Sequence, residues 1–249
     1  MNVKEYRRQV EAELNAKAAS NARVSDFSAK VVVGADTPDI RAAVSGENWD
    51  EAIKQLADPK LDEEARLVAL QFLQAGTFLG ARFAPYRAKY LAALRTAATS
   101  ADDAELRHSA LDILANLKDD FARQKLMDGL QGAGTALVSP AVALGLLARD
   151  DHGSISTLAR DLLKSSTDVH TREQAARVLG SDPSAKNLLS ELMTDKTEFS
   201  AVRRASAVAL RNLDPGEFET NARSILADHG DFGEIKATVK GATDRLTRP

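Results

Sequence analysis

The stretch of sequence that decides the fold is AVRRASAVALRNLDP, which occupies residues 201–215. Within it, Arg203 is followed by small or apolar side chains three, four, six and seven positions later, the spacing of one face of an α-helix. The stretch ends on an Asp-Pro pair, in which Asp can cap a following helix and Pro can begin it. It therefore predicts an amphipathic helix that ends at about residue 212.

Four other segments carry the same spaced pattern, each led by a polar or turn residue. The five leading residues, Arg66, Arg107, Pro140, Arg172 and Arg203, are separated by 41, 33, 32 and 31 residues. This period is typical of stacked helix pairs, in which each unit buries its apolar face against a neighbour. Small side chains are frequent at the third and fourth positions, where they allow helices to approach closely. The pattern predicts an all-α repeat array.

Residues 201–215 resemble the second helix of a HEAT repeat, and ELRHSALDILANL at 105–117 and TREQAARVLG at 171–180 repeat the resemblance. The chain is most similar to the short bacterial HEAT-like repeats of the phycobilisome-lyase type, over about residues 49–230. The resemblance implies a right-handed α-solenoid of about five to six stacked helix pairs, with capping helices at both ends and second helices lining a concave groove. Scaffolds, adaptors, chromophore lyases and some DNA glycosylases are all similar to this pattern, so it indicates fold more narrowly than function.

Apolar periodicity, and Asp-Pro pairs between the predicted helices, indicate the domain organisation. Residues 1–48 are predicted to hold an N-terminal capping helix at 3–20, a linker, and a short helix between Thr37 and Gly46. Residues 49–249 are predicted to form the repeat array, ending in a C-terminal capping helix. The expected helix pairs are 48–57 with 62–80, 85–99 with 103–117, 120–131 with 136–149, 154–165 with 169–180, 184–196 with 200–212, and 216–229 with 232–246.

Composition limits the classes of partner and compartment. The chain has 33 Lys and Arg against 36 Asp and Glu, a formal net charge of -3. Nucleic-acid binders usually carry a basic excess, because their cations release counterions from phosphates, so this balance disfavours a nucleic-acid partner. The sequence contains no Cys, which excludes a disulfide framework and a thiolate nucleophile. No segment has the pattern of a signal peptide or a membrane span, and we expect a cytoplasmic protein without membrane association.

Arginines lead four of the five segments and are candidate partner-binding residues. They are Arg66, Arg107, Arg172 and Arg203. Guanidinium groups along a groove could bind carboxylates or phosphates. In the HEAT-like stacks that this chain resembles, such an arginine commonly pairs with an aspartate of a neighbouring unit, and Asp62, Asp103 and Asp168 stand near the same helix starts. The sequence leaves both interpretations open.

Three further groove candidates are His108, Arg204 and Arg211, of which His108 would equally suit a solvent-facing position. The predicted second helices differ in charge, from -2 over 62–76 and -3 over 102–117 to +3 over 199–213. A groove with such a gradient would orient a partner of opposite gradient. The same acidic residues would equally serve to stabilise helix N-termini.

The first repeat interval is about eight residues longer than the next, and the surplus falls around residues 76–85. Insertions in repeat arrays map to one face, which is often the binding face, and aromatic side chains are efficient contact residues. Phe78, Phe83 and Tyr86 are therefore candidate partner-binding residues. They would equally fill the gap that a longer helix leaves in the core.

The sequence contains no recognisable catalytic, cofactor-binding or metal-binding pattern. Its four histidines do not share metal-ligand spacing, and no phosphate-binding loop or nucleophile elbow occurs. We therefore expect a non-catalytic scaffold or adaptor that binds a protein or peptide in its groove. Two alternatives stay open: an enzyme on the same scaffold, namely a DNA base-excision glycosylase or a bilin lyase, and a nucleic-acid-binding module that uses Arg203, Arg204 and Arg211.

Overall fold

The structure is a computed structural model that describes residues 48–100, 103–149, 152–231 and 233–246. The predicted N-terminal capping helix, the linker after it and the short helix between Thr37 and Gly46 lie outside the described residues. Every regular element within the described ranges is helical, which confirms the predicted all-α class.

Twelve α-helices span the described ranges. They are α1 Trp49–Ala57, α2 Glu63–Thr77, α3 Arg87–Ser100, α4 Ala104–Asn116, α5 Asp120–Gln131, α6 Pro140–Leu147, α7 His152–Ser165, α8 Val169–Val178, α9 Lys186–Thr194, α10 Ser200–Leu213, α11 Pro215–Ala227 and α12 Gly233–Leu246. Short 3-10 helices span Gly80–Arg82, Ala84–Tyr86, Leu179–Ser181 and Pro183–Ala185. The six predicted helix pairs correspond to α1 with α2 through α11 with α12.

Several helices are shorter than the sequence predicts, among them α2 and α6. Helix α2 ends at Thr77 instead of residue 80, and the chain then turns through Gly80, whose φ of 57° is a conformation that glycine adopts without strain. Helix α6 begins at Pro140 instead of residue 136, because Ser139 accepts the hydrogen bond of the N-cap position and Pro occupies the first turn.

The chain divides into two compact units. Among the described residues, unit 1 holds 48–56 and 64–88, and therefore most of α1 and α2 together with the first two 3-10 helices. Unit 2 holds residues 57–63 and 89–246, which include helices α4 to α12 and most of α3.

Within unit 2, the even-numbered helices contact one another in chain order. Helix α4 contacts α6, α6 contacts α8, α8 contacts α10, and α10 contacts α12. Neighbours along the chain also pack together, most extensively α9 against α10 and α7 against α8, and α9 contacts α11 as well. This contact order is the one expected of consecutive helix pairs that each pack on the next.

Most of the small and apolar side chains of the spaced signature are buried, each within its own unit. At the third, fourth and seventh positions after each leading residue, every side chain is at most 4% exposed. Small residues set the distance between elements: a Cβ atom on Gly180 would lie 3.1 Å from the Cβ atom of Ala209 on α10. In the last helix, α12, Ile235, Val239 and Ala242 are also buried.

None of the helices in the described ranges combines the length and the hydropathy needed to cross a lipid bilayer.

Candidate functional site

Arg203, the leading arginine of α10, lies in the core of unit 2. Its side chain is 0% exposed, and Nε donates a hydrogen bond to the carbonyl of Met193 at 3.0 Å. Its Nη1 and Nη2 atoms donate to the two carboxylate oxygens of Asp231 at 2.6 and 2.7 Å, and the Asp231 side chain is only 2% exposed. A two-pronged pair of this kind compensates the burial of both charges. Arg203 therefore connects α9 and α10 to the segment before α12.

Arg172 makes the same two connections one repeat earlier. Its guanidinium donates to the carbonyl of Leu163 on α7 and to the carboxylate of Glu198, which precedes α10. The Arg172 and Glu198 side chains are 17% and 6% exposed. Arg172 thus lies at a helix junction of unit 2.

The remaining leading arginines also bind backbone carbonyls. In unit 1, Arg66 is buried and its Nε donates to the carbonyl of Leu56 at 3.1 Å. In unit 2, Arg107 is half-buried and its Nη1 donates to the carbonyl of Leu137 at 3.3 Å. All four leading arginines are thus engaged by groups of the protein itself.

The acidic partners of Arg172 and Arg203 differ from the aspartates that the sequence suggested. Asp103 and Asp168 cap α4 and α8 by accepting hydrogen bonds from backbone amides. Glu198 and Asp231, which do pair, each lie two residues before an even-numbered helix of the next repeat. An acidic residue 26 or 28 positions after a leading arginine is the sequence signal that would have identified them.

A second set of ion pairs joins the odd-numbered helices of unit 2. Asp119 caps α5, because its carboxylate accepts a hydrogen bond from the backbone amide of Ala122 at 3.1 Å. The same carboxylate binds Arg95 of α3, with Arg95 Nη2 lying 2.6 Å from Asp119 Oδ2. The equivalent pairs are Arg160 of α7 with Asp182 at 2.5 Å and Lys186 of α9 with Asp214 at 2.7 Å. Because Asp214 also caps α11, one carboxylate both starts a helix and links it to the previous odd-numbered helix.

These contacts lower the pKa of the carboxylates involved. Burial by itself raises the pKa of Asp119, but the hydrogen bonds from Arg95 and the Ala122 amide, with the charge of Arg95, outweigh burial and hold that pKa below its usual value. The hydrogen bond from Lys186 and the Glu217 amide likewise lower the pKa of Asp214.

We expect acid to destabilise unit 2 through these carboxylates. A carboxyl group whose pKa is lower in the folded than in the unfolded state contributes stability above the unfolded pKa, and this contribution disappears as pH falls through the folded pKa. The free energy of unfolding should therefore drop below about pH 3.9, the ordinary aspartate pKa. Asp119→Asn should flatten this decline, because Asn keeps the helix cap but removes the titrating charge.

Urea denaturation at a series of pH values measures this effect. The matched control is Asp120→Asn, since the neighbouring Asp120 side chain is 91% exposed. If the free energy of unfolding decreases with the same slope at acid pH in the parent and in Asp119→Asn, the prediction is wrong.

The aromatic candidates of the insertion separate into buried and exposed side chains. In unit 1, Phe83 is 0% exposed, and its ring meets Trp49 edge-to-face with centroids 5.3 Å apart. Tyr86 is half-buried and also packs edge-to-face on Trp49 at 5.0 Å. A Cβ atom on Gly76 would lie 3.0 Å from the Phe83 ring, so glycine makes room for this cluster. Phe78, by contrast, is 89% exposed.

His108 is exposed on α4. Within the described ranges, no group of three or more His, Asp or Glu residues is arranged to hold a metal ion.

An open groove lies across three consecutive even-numbered helices, α8, α10 and α12, in unit 2. It has a volume of about 530 Å³ and is lined by Glu173, Arg177, Arg204, Ala205, Val208 and Thr238. A second depression of about 280 Å³ shares Val208 and Thr238 with it and continues over Arg211, Ala237, Gly241 and Ala242. We call these two depressions together the Val208 groove. Val208 lines both depressions and is 52% exposed.

Two sequence-predicted candidates, Arg204 and Arg211, lie in the Val208 groove. Arg204 pairs with Glu234 of α12 at 3.0 Å, and Arg177 on the opposite side pairs with Glu173 of its own helix at 2.5 Å. Arg211 makes no hydrogen bond or ion pair with any described residue. The groove therefore combines an exposed valine with an arginine that has no partner among the described residues.

Val208 is the residue that the sequence analysis overlooked. It stands five positions after the leading arginine of its repeat, where the other four repeats carry Gln71, Asp112, Gly145 and Arg177. An aliphatic residue at a position that is otherwise polar or glycine is the signal that marks it.

Comparison of the full chain with protein-family models, curated proteins and solved structures yields no match.

Proposed function

We propose that this chain is a non-catalytic helical-repeat module that binds a protein partner at the Val208 groove. In this proposal the helix pairs form a right-handed, HEAT-like α-solenoid whose even-numbered helices line the concave side, and the protein acts in the cytoplasm. The repeated arginine links between consecutive repeats support the solenoid. The absence of Cys from the sequence fits a reducing compartment.

The single observation that carries the binding proposal is the exposure of Val208. Val208 is 52% exposed on a helix whose Val202 and Leu210 are 0% exposed, and small residues and arginines line the same depressions. Apolar centres surrounded by polar residues, with arginine present, are typical of protein-binding surfaces.

The charges of the groove favour a protein over a nucleic acid. Of the three arginines that a nucleic-acid-binding module would use, Arg203 is buried against Asp231 and Arg204 is paired with Glu234. Only Arg211 is left to meet a phosphate, whereas binding by counterion release requires several cations. The glycosylase and bilin-lyase alternatives rest on the resemblance alone.

The test replaces the exposed valine of the groove. We expect the immobilised full chain to retain specific proteins from an extract of its own cells, and Val208→Glu to lose them because a charge would be desolvated at the contact. The matched control is Val68→Glu, since Val68 lies on another even-numbered helix, α2, and is 56% exposed. Retention of the same proteins by the parent and by Val208→Glu, or retention of none by the parent, would refute the proposal.

A further inference from the structure

We infer that the occupant of the Val208 groove is an acidic amphipathic helix of the partner, which places an aliphatic side chain on Val208 and a carboxylate on Arg211. This inference rests on the proposed function and specifies the chemistry of the partner.

The groove around Val208 fits a helix with one bulky apolar residue. Ala205, Ala237 and Gly241 line the groove together with Val208. Because these residues are small, another backbone can approach closely. Nothing lies within 4 Å of the position that a Cβ atom on Gly241 would occupy, so this part of the groove is open. An aliphatic side chain entering here would remove the exposed part of Val208 from water.

The charges on the rim select an acidic partner. Arg177 and Arg204 already have the carboxylates of Glu173 and Glu234 as partners, so they add no uncompensated charge. Arg211 has no such partner among the described residues. A carboxylate on the bound helix would supply the missing counter-charge, and an acidic residue anywhere near the rim would speed association.

The register of α10 fixes the spacing in the partner. Arg204, Val208 and Arg211 are four and three residues apart and therefore share one face of the helix. Val208 and Arg211 are separated by about 4.5 Å along the helix axis. A partner helix meets both residues when its aliphatic and acidic residues are three or four positions apart, which brings them to one of its own faces.

The experiment selects ligands from an unbiased library of random helical peptides, using the immobilised full chain. We expect the selected peptides to be enriched in an aliphatic residue with Asp or Glu three or four positions away. Arg211→Glu should weaken the binding of a selected peptide about tenfold and reduce its dependence on salt. The matched control is Arg223→Glu, because Arg223 is 78% exposed on α11 and does not line the groove.

The possible outcomes separate this inference from the proposed function. If Val208→Glu abolishes peptide binding but Arg211→Glu leaves it unchanged, the acidic-helix inference is wrong and the groove remains the binding site. If no peptide is selected, the acidic-helix inference is wrong, and the retention experiment with Val208→Glu decides the proposed function. If Val208→Glu binds the selected peptides as the parent does, both are wrong. Displacement of the peptide by a random DNA duplex, or a self-associated state that Val208→Glu dissolves, would identify a nucleic acid or a second copy of the chain as the occupant and overturn the inference.

Discussion

Replacing Arg203 with Met should lower the free energy of unfolding by about 3 to 5 kcal/mol. The substitution removes the guanidinium that pairs with Asp231, so a carboxylate that is 2% exposed loses two hydrogen bonds and an adjacent opposite charge. It also removes the donor to the Met193 carbonyl. Met fills much of the volume of the arginine side chain, so the substitution leaves little cavity. The decrease in the free energy of unfolding therefore comes mainly from the missing ion pair. Urea denaturation followed by circular dichroism measures the change.

Two further variants assign this loss to the buried pair. Arg223→Met removes an exposed arginine whose partner, Glu219, lies on the same helix, and it should change stability by less than about 0.5 kcal/mol. The double variant Arg203→Met/Asp231→Leu should recover most of the stability, because neither charge of the pair is then buried. A single variant as stable as the parent would show that the pair does not hold the repeats together.

The second large effect is expected at Phe83 in unit 1. Phe83→Ala should reduce the free energy of unfolding by about 3 to 5 kcal/mol, since the ring is 0% exposed and its removal leaves a cavity beside Trp49. Trp49 is the only tryptophan of the chain, so its fluorescence reports on this cluster directly. We expect its emission to shift to longer wavelength in the variant, as water gains access to the indole.

Phe78→Ala is the control from the same insertion. Its ring is 89% exposed, so its loss should change stability by less than about 0.5 kcal/mol and leave the Trp49 emission unchanged. Equal destabilisation by both substitutions would contradict the division of the insertion into a buried and an exposed part.

The helices could be predicted from the sequence because each repeat places small and apolar residues at the same offsets. One-dimensional periodicity is sufficient for this, since the residues that stack are close in sequence. The course of the chain after Thr77 could not be predicted in the same way. It depends on the turn at Gly80 and on the packing of Phe83 against Trp49, a residue far away in the sequence.

The burial of the leading arginines could be predicted in part from the sequence. A residue shares its helix face with those three, four and seven positions later, and these positions are the small and apolar ones. The leading position therefore faces the core, as Arg66 and Arg203 do. By the same geometry Arg204, Val208 and Arg211 share a different face. Which rim arginine lacks a partner could not be predicted, because that depends on whether Glu234 of another helix reaches it.

Arg172 and Arg203 each pair with an acidic residue of the next repeat, and this has a consequence for evolution and for engineering. Each arginine and its acidic acceptor belong to different helix pairs. Cutting the chain between helix pairs would therefore separate the arginine from its acceptor. A segment that runs from one arginine to just beyond its acceptor, as from Arg172 to Glu198, keeps that pair together but separates Asp182 from Arg160 and Lys186 from Asp214. The segment that carries a complete arginine link is thus offset by about one helix from the helix pair.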